Sequence, residues 1–333
     1  MNHTILTRVF ILGAGFSRAI IGNDCPLKEN LYDKVADELP EEIKCKLCKF
    51  GVKDIELALT YIDLEILYKP NNKSLVQNRR NVEDRIYKIF EKMMPKSESD
   101  YTPAAKKFVD LLKKNDTIIT FNYDTYLETL LWLKKKWSPA GGYTKYVGNL
   151  LLDETENEKK YMNIEILKLH GSLNFKKGDY LDNPKKFYIG LEVNEKFFPK
   201  SYQHFGIIKG EEPYIVLPTY LKISWPKEIL FLWHTAYERI SEASDILIIG
   251  YSFSEADSFS HMLLSHIRYD KNPKKRKIFI IDPEAEKIKE KMEKNILIAP
   301  EYIEEYIDWN ILSGRLEDQI DKLKSKVYNT SSS

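Results

Sequence analysis

Five short apolar runs are distributed along the chain, and each has the pattern of a buried strand. They lie at residues 8–12, 116–121, 164–170, 245–250 and 277–282 and are rich in Ile, Leu, Val and Phe. Three of them are almost uninterrupted by polar residues, which is typical of parallel strands that are covered on both faces. Segments with helical periodicity separate the runs. This alternation predicts an α/β fold with a Rossmann-like, doubly wound parallel sheet.

The long segment between the first two runs has a different pattern. Residues 27–114 contain charged amphipathic stretches and no convincing strand, which predicts a helical insertion. Residues 176–214 are rich in Tyr, Phe, Gly, Pro and Lys, which predicts loops and short strands. We therefore expect one domain over residues 1–298, with the insertion inside it. A partly helical segment and a loose tail would follow over residues 299–333.

The composition is that of an ordinary globular protein, and it argues against some classes of function. Of the 333 residues, 43% are apolar and 30% are charged, which differs from the composition of a disordered chain. A formal net charge of +1 provides no global field toward nucleic acid or anionic membranes. Basic runs such as residues 271–277 lack interleaved aromatic residues, so direct nucleic-acid binding is not expected.

The sequence predicts neither a membrane anchor nor a metal centre. No run approaches the roughly 20 apolar residues of a transmembrane helix. The first apolar run passes directly into a glycine turn, so we interpret it as a strand rather than a signal peptide. Cys45 and Cys48 form a lone C-x-x-C pair, and Cys25 is the third cysteine. Two ordinary thiols on a Lys-rich helix fit this pattern better than a zinc or redox site, and we expect a cytoplasmic protein.

A glycine turn follows the first apolar run. In 13-GAGFSRA-19, Gly13 permits a sharp turn, and Gly15 lets a phosphate approach the N-terminus of the next helix. The third glycine of the dinucleotide-binding pattern would fall at Arg18. The acidic residues about twenty positions on, Asp33 and Asp37, lie in a helical stretch rather than at a strand end. Nucleotide binding and a plain tight turn are therefore both open for this motif.

Polar side chains also follow the other four runs. They are Asn122 and Asp124 after the second, His170 at the end of the third, Gly250 and Ser252 after the fourth, and Asp282 at the end of the fifth. Each has an ordinary interpretation as a turn residue, a core histidine or a helix cap. A histidine there can also act as a general base near neutral pH. Since ligands bind at the carboxyl edge of an open α/β sheet, polar residues at all five strand ends predict a site there.

Five short blocks occur in an order that resembles the sirtuins and their bacterial sirtuin-like relatives. The blocks are 13-GAGFS-17, 120-TFNYD-124, 169-LHGS-172, 250-GYSFSEAD-257 and 281-IDP-283. Within them, His170 and Gly171 match the catalytic His-Gly of sirtuins. Asn122 and Asp124 hold their places, although Phe121 stands where the deacylases have Gln. The resemblance extends over roughly residues 8–290 but is specific only at these blocks.

Departures from the deacylase pattern indicate which branch of sirtuin-like proteins the chain is similar to. Deacylases carry a zinc ribbon of two C-x-x-C pairs after the catalytic His, whereas no cysteine lies between His170 and Gly250 here. Only Gly22 and Pro26 match the GIPDFR segment of the deacylases. The resemblance therefore implies a fold without a zinc ribbon, similar to the sirtuin-like domains of anti-phage defence systems that hydrolyse NAD. It implies NAD+ as the substrate and no metal.

The resemblance also implies a role for each polar position. Asn122 would orient water and the ribose hydroxyls, and His170 would be the general base toward a ribose hydroxyl or the water. Asp124 would orient the Asn122 turn or the nicotinamide end of the pocket. The remaining positions would bind the dinucleotide: Gly13, Ala14, Gly15 and Ser17 the pyrophosphate, Gly250 and Ser252 phosphate or ribose, and Asp282 the adenosine ribose. Such an NAD+ glycohydrolase needs gating, by homo-oligomerisation or by a partner such as a HerA-family ATPase. The alternatives are an NAD-dependent protein deacylase and a non-catalytic module that senses NAD or ADP-ribose.

Overall fold

A parallel sheet of six strands forms the centre of the molecule. The computed structural model describes residues 7–95, 97–143, 164–177, 191–193, 214–217, 219–221, 227–265, 277–294 and 305–308. The strands are β1 (Arg8–Leu12), β2 (Thr117–Thr120), β3 (Glu165–Lys168), β4 (Gly171–Ser172), β5 (Phe175–Lys177), β6 (Leu191–Val193), β7 (Tyr214–Ile215), β8 (Asp245–Ile249), β9 (Lys277–Asp282) and β10 (Glu305–Asp308). The sheet has the order β10-β9-β8-β1-β2-β3, and every pair in it is parallel.

Helices cover the sheet and build the segment between β1 and β2. They are α1 (Ala14–Ile21), α2 (Lys28–Val35), α3 (Glu41–Lys49), α4 (Ile55–Tyr68), α5 (Lys73–Lys92), α6 (Pro103–Leu111), α7 (Tyr126–Leu133), α8 (Pro139–Gly142), α9 (Lys227–Glu242), α10 (Ser258–Ser265) and α11 (Ala285–Lys294). None of the helices in the described part of the chain is both long and apolar enough to cross a membrane.

The predicted α/β fold is confirmed, because all five predicted strands are present and pair in parallel. Helices α2 to α6 fill the predicted helical insertion, with two short 3-10 turns as the other regular elements described there. Two small antiparallel ladders, β4 with β7 and β5 with β6, supply short strands in and beside the segment predicted to contain them. The rest of that segment lies outside the described residues.

One short stretch of the C-terminal segment forms a strand that its local pattern did not predict. Residues from 299 were expected to be partly helical, but Glu305–Asp308 form strand β10, which pairs in parallel with β9. The sequence repeats Tyr302-Ile303 as Tyr306-Ile307, and this spacing of four residues imitates the face of a helix. The open edge of β9 offers backbone hydrogen bonds to a four-residue segment, and this pairing overrides such a weak local preference. The rest of the C-terminal segment lies outside the described residues.

The sheet is buried on both faces, as its apolar strands predict. Every residue of β1 is buried, and so is every residue of β2. On one face, Phe10 of β1 and Phe16 of α1 both meet Phe108 of α6, with ring centroids 5.6 and 4.7 Å apart. Edge-to-face contacts of this kind add to the burial of apolar area. These contacts hold α1 against the sheet, and they therefore also hold the turn that leads from β1 into α1.

Candidate functional site

The strand order places a crevice between β1 and β8. The chain proceeds outward from β1 through β2 to β3, then returns to the other side of β1 and proceeds through β8 and β9 to β10. The direction of winding therefore reverses between β1 and β8, and ligands bind open α/β sheets at such a switch point, beyond the carboxyl ends of the strands.

A cavity of about 470 Å³ occupies this position, which is within the size range of small-molecule sites. The structure brings all ten of the predicted site residues to its wall. They are Gly13, Ala14, Gly15, Ser17, Asn122, Asp124, His170, Gly250, Ser252 and Asp282. The sequence pattern predicted that polar residues from five strand ends form one site, and these residues do line one cavity.

Three glycines allow the turns after β1 and β8 to touch. A Cβ atom at Gly15 would lie 2.9 Å from the Gly250 Cα, closer than side chains approach a backbone. Gly250 also has φ = 60°, a conformation that favours glycine. The Gly15 N–H donates to the Gly250 carbonyl at 2.9 Å, and the Gly13 N–H donates to the Ile249 carbonyl at 3.1 Å. Contact with the Gly250 backbone therefore requires a glycine at position 15, whether or not a phosphate binds there.

Asn122, Ser17 and Asp124 form a hydrogen-bonded chain beside the glycine turn. The Asn122 Nδ2 donates to the Gly13 carbonyl at 2.7 Å and to the Ser17 Oγ at 2.9 Å. The Ser17 hydroxyl donates to Asp124 Oδ2 at 2.7 Å. Since the Gly13 carbonyl can only accept and the Ser17 proton is already given to Asp124, the amide orientation is fixed. Asn122 Oδ1 is thus the acceptor that the amide has left for a ligand.

Asp124 is fully enclosed, and an ion pair lies next to it. The Lys168 Nζ donates to the backbone carbonyl of Asp124 and lies 2.8 Å from Glu128 Oε1, with both side chains buried. Burial raises the pKa of the Asp124 carboxyl above its ordinary value, although the Lys168 charge and the Ser17 hydrogen bond act in the opposite direction. Asp124 therefore holds the Asn122 turn in place and does not face bulk solvent.

His170 lies at the end of β3 in an aromatic enclosure. Its ring is buried, with its centroid 5.1 Å from that of Phe121 and 6.3 Å from that of Trp233. The Trp233 indole N–H donates to the Leu169 carbonyl at 3.0 Å, which fixes that wall. Aromatic surfaces around a histidine exclude water from it, so a proton transferred there would be shielded from bulk solvent.

Asp257 is a site residue that the sequence reasoning did not assign. Its Oδ2 lies 3.2 Å from the His170 Nε2 and accepts a hydrogen bond from the Tyr251 hydroxyl at 3.0 Å. Asp257 and Tyr251 both lie in the block 250-GYSFSEAD-257, so the sequence did mark this segment as part of a site. That block does not say which of its side chains turn inward, because a loop has no periodicity to separate its faces.

The helical insertion supplies a second set of missed residues. The Ser254 hydroxyl is 2.8 Å from Glu56 Oε1 and 2.6 Å from Glu56 Oε2, and the Lys28 Nζ donates to the same carboxylate. All three residues line the cavity, although Lys28 and Glu56 lie in the first turns of α2 and α4, far from the strand ends in sequence. No motif marks them, because a Lys or Glu in the first turn of a surface helix is ordinary.

Asp282 has a structural role beside any role in binding. Its Oδ1 accepts from the Glu284 N–H at 2.9 Å, so the carboxylate caps the turn that leads into α11. This agrees with the ordinary interpretation of the residue. Asp282 and Ser252 nevertheless line the cavity, at the ends of neighbouring strands β9 and β8.

The cysteines lie in two different environments. Cys45 and Cys48 are exposed on α3, whereas Cys25 is buried in the cavity wall. Burial, reinforced by the nearby Asp124, raises the pKa of the Cys25 thiol. Within the described ranges, no cluster of three or more His, Cys, Asp or Glu side chains is arranged to hold a metal ion.

Among known proteins, similarity to this chain is found only with solved structures. No family model matches the chain, and no curated protein matches it. A solved structure described as a Sir2 homolog–NAD complex is 14% identical, with a TM-score of 0.45, and the alignment covers 96% of this chain and 90% of that one. Another, from work on the mechanism and regulation of Sir2 enzymes, is 13% identical with a TM-score of 0.44, covering 97% and 93%. The fold described above rests on the strand order and register of this chain itself.

Proposed function

We propose that the protein is an NAD+ glycohydrolase that releases nicotinamide and ADP-ribose. One observation carries the proposal: the ten predicted positions line a single cavity at the switch point of the sheet. Support also comes from the blocks around Asn122 and His170, which resemble those of sirtuin-like NAD-hydrolysing domains. A pure binding module has no evident need for a buried histidine beside an oriented amide.

The proposed reaction breaks the bond between the ribose C1′ and the nicotinamide nitrogen. The electron pair of that bond leaves with the nicotinamide, which becomes neutral, and C1′ develops oxocarbenium character. A water oxygen then bonds to C1′, and its proton passes to His170 and on to solvent. Asn122 Oδ1, the acceptor that its amide contacts leave available, holds the water or a ribose hydroxyl. General-base assistance of this kind is worth about 10²–10⁴-fold in rate.

The remaining cavity residues bind the dinucleotide in this proposal. The pyrophosphate lies at the N-terminus of α1, where the helix dipole favours negative charge, although the Gly15 N–H is already bonded to the Gly250 carbonyl. Ser252 and Asp282, at neighbouring strand ends, take the ribose on the adenosine side. Ser17 differs from the pattern implied by the resemblance, because its hydroxyl already links Asn122 to Asp124. We assign Ser17 to holding the amide and only its backbone to the phosphate.

We also propose that the activity serves anti-phage defence by depleting cytoplasmic NAD+. Such an activity harms the cell that makes it, so it requires gating by homo-oligomerisation or by a partner, of which a HerA-family ATPase is the candidate. Size-exclusion chromatography combined with an activity assay tests the gating. A fully active monomer without a partner would count against it.

The proposed function is tested by incubating the purified protein with NAD+ and separating the products by chromatography. We expect nicotinamide and ADP-ribose from the wild type, and a loss of at least about 10²-fold in rate for His170→Ala and Asn122→Ala. His234→Ala is the matched control, because His234 is an exposed histidine on α9.

Three other outcomes would contradict the proposal. Cleavage at the wild-type rate by both variants would show that His170 and Asn122 are not catalytic residues. Nicotinamide release that requires an acetyl-lysine peptide would indicate a deacylase. Tight binding of NAD+ without cleavage, in every oligomeric state and with the partner present, would indicate a sensing module.

A further inference from the structure

We infer that Asp257 is a positioning residue for His170 and keeps the imidazole proton on Nε2, so that Nδ1 is the basic nitrogen. The catalytic meaning of this inference rests on the proposed function. The contact itself does not, because it concerns two side chains of the protein without a ligand.

The geometry places the carboxylate at one ring nitrogen. Asp257 Oδ2 lies 3.2 Å from His170 Nε2, and the side chains are only 7% and 8% exposed. The Tyr251 hydroxyl donates to the same oxygen at 3.0 Å. At this burial, a carboxylate next to an imidazole interacts more strongly than it would in water.

The Nε2 nitrogen needs such a partner. It is buried and makes no well-aligned hydrogen bond with any residue that the structure describes. A buried polar atom without a hydrogen bond costs about 1–3 kcal/mol, and hydrogen bonds in ligand-free catalytic sites are often long or misaligned. At 3.2 Å the two atoms are already within hydrogen-bonding distance, so only the angle has to change for the Nε2–H to donate to Asp257 Oδ2.

The loop that carries Asp257 is held in an unusual conformation. Phe253 has φ = 53°, which is uncommon for a residue with a Cβ and carries a strain energy. Its ring is buried against Tyr251, at a centroid distance of 4.6 Å, and this packing offsets the strain. The Asp257 N–H donates to the Ser254 carbonyl at 3.0 Å, so the loop turns back on itself. Because of this turn, the Asp257 side chain lies next to His170.

The chemistry then decides which nitrogen is the base. A neutral imidazole has one N–H and one lone pair, and a carboxylate can only accept. Asp257 therefore stabilises the Nε2–H tautomer and leaves the lone pair on Nδ1. When Nδ1 takes a proton from water, the carboxylate also stabilises the imidazolium that forms, as the third member of a catalytic triad does.

The test uses Asp257→Asn, whose amide can donate to Nε2 and so favours the opposite tautomer. Nitrogen-15 NMR of histidine-labelled protein, with the His170 signals assigned by their absence in His170→Gln, reports the tautomer without reference to activity. We expect the Nε2–H form in the wild type and its loss in Asp257→Asn. The kcat for nicotinamide release should fall at least about 10-fold, with KM changed less than about 3-fold.

Two further variants separate positioning from a general structural effect. Asp257→Glu restores the carboxylate and should recover the Nε2–H tautomer and part of kcat. Asp33→Asn, which removes an exposed carboxylate from the Lys53 ion pair on α2, should change neither. A wild-type protein in which His170 is the Nδ1–H tautomer, or a tautomer that Asp257→Asn leaves unchanged, would overturn the inference. If NMR shows the expected tautomers but the protein does not cleave NAD+, the inference about Asp257 is supported and the proposed function is contradicted.

Discussion

At the scale of single residues, the site depends on atoms whose hydrogen-bonding capacity is used up by the protein itself. The Asn122 amide is oriented because Gly13 and Ser17 take both of its protons. Ser17 in turn gives its proton to Asp124. Such a chain holds a ligand-facing oxygen without any flexible charged side chain, and side chains held in this way lose little entropy when they bind.

The Asp124 carboxyl makes stability depend on pH. Burial raises its folded-state pKa, so the folded protein keeps a proton over a range in which the unfolded chain has lost it. Stability therefore decreases as the pH rises from the ordinary value of about 3.9 through the raised pKa. Asp124→Asn cannot ionise and loses this dependence. We expect the free energy of unfolding of the variant minus that of the wild type to become more positive as the pH rises above about 4.

Urea titrations at a series of pH values measure this difference for Asp124. Asp63→Asn is the control, since Asp63 belongs to an ion pair with Arg79 on the insertion, away from the cavity. A difference for Asp124→Asn that is constant or falls with rising pH would show that the carboxyl is ionised throughout, with its burial fully offset.

At the scale of elements, the helical insertion is a wall of the cavity. The first turns of α2 and α4 meet the loop after β8 at one buried carboxylate, Glu56. One turn further along α4, the Thr60 hydroxyl lies 3.1 Å from that of Thr219 and accepts from the Tyr220 N–H at 2.9 Å. A single helix therefore joins the loop after β8 to the segment that contains Thr219 and Tyr220.

Opening of this wall can be followed through Cys25, which is fully buried in the cavity wall. Its thiol can react with a labelling reagent only when the wall opens. In a Cys45→Ser/Cys48→Ser background, we expect Ser254→Ala to increase the labelling rate of Cys25 about fivefold. This corresponds to the loss of about 1 kcal/mol, the typical net contribution of one hydrogen bond.

Ser99→Ala, an exposed serine elsewhere in the helical segment, is the control for the labelling experiment. An unchanged labelling rate for Ser254→Ala would show that the contact with Glu56 does not hold the wall closed. A rate that equals that of global unfolding in both proteins would show that the wall opens only when the whole protein unfolds.

At the scale of the whole molecule, strand β10 lies beyond residue 298, where the first domain was expected to end, and it pairs with β9. We predict that a chain ending at residue 298 is less stable than a chain ending at residue 328. It would also self-associate, because the edge of β9 would be uncovered. Urea denaturation and light scattering measure the two effects. Equal stability of the two chains would mean that β10 is dispensable for the fold.

The sequence predicted the sheet and the positions of the polar strand ends, because both depend on local patterns. Continuous apolar runs identify buried parallel strands, and the carboxyl ends of such strands share one edge. What could not be predicted depends on contacts between distant segments. Glu56 meets Ser254, and His170 meets Asp257, only in the fold. The strand β10 likewise depends on an edge that no local pattern records.

The strand order has a consequence for how the protein is made. Strand β1 leaves the ribosome long before β8, its neighbour on one side, in which Asp245 pairs with Arg8. Gly250, Asp257 and Asp282 follow later still. A nascent chain that carries Asn122 and His170 therefore has only half of the cavity wall. The cell that synthesises this protein is not exposed to a complete site until the segment that carries Asp282 has been translated.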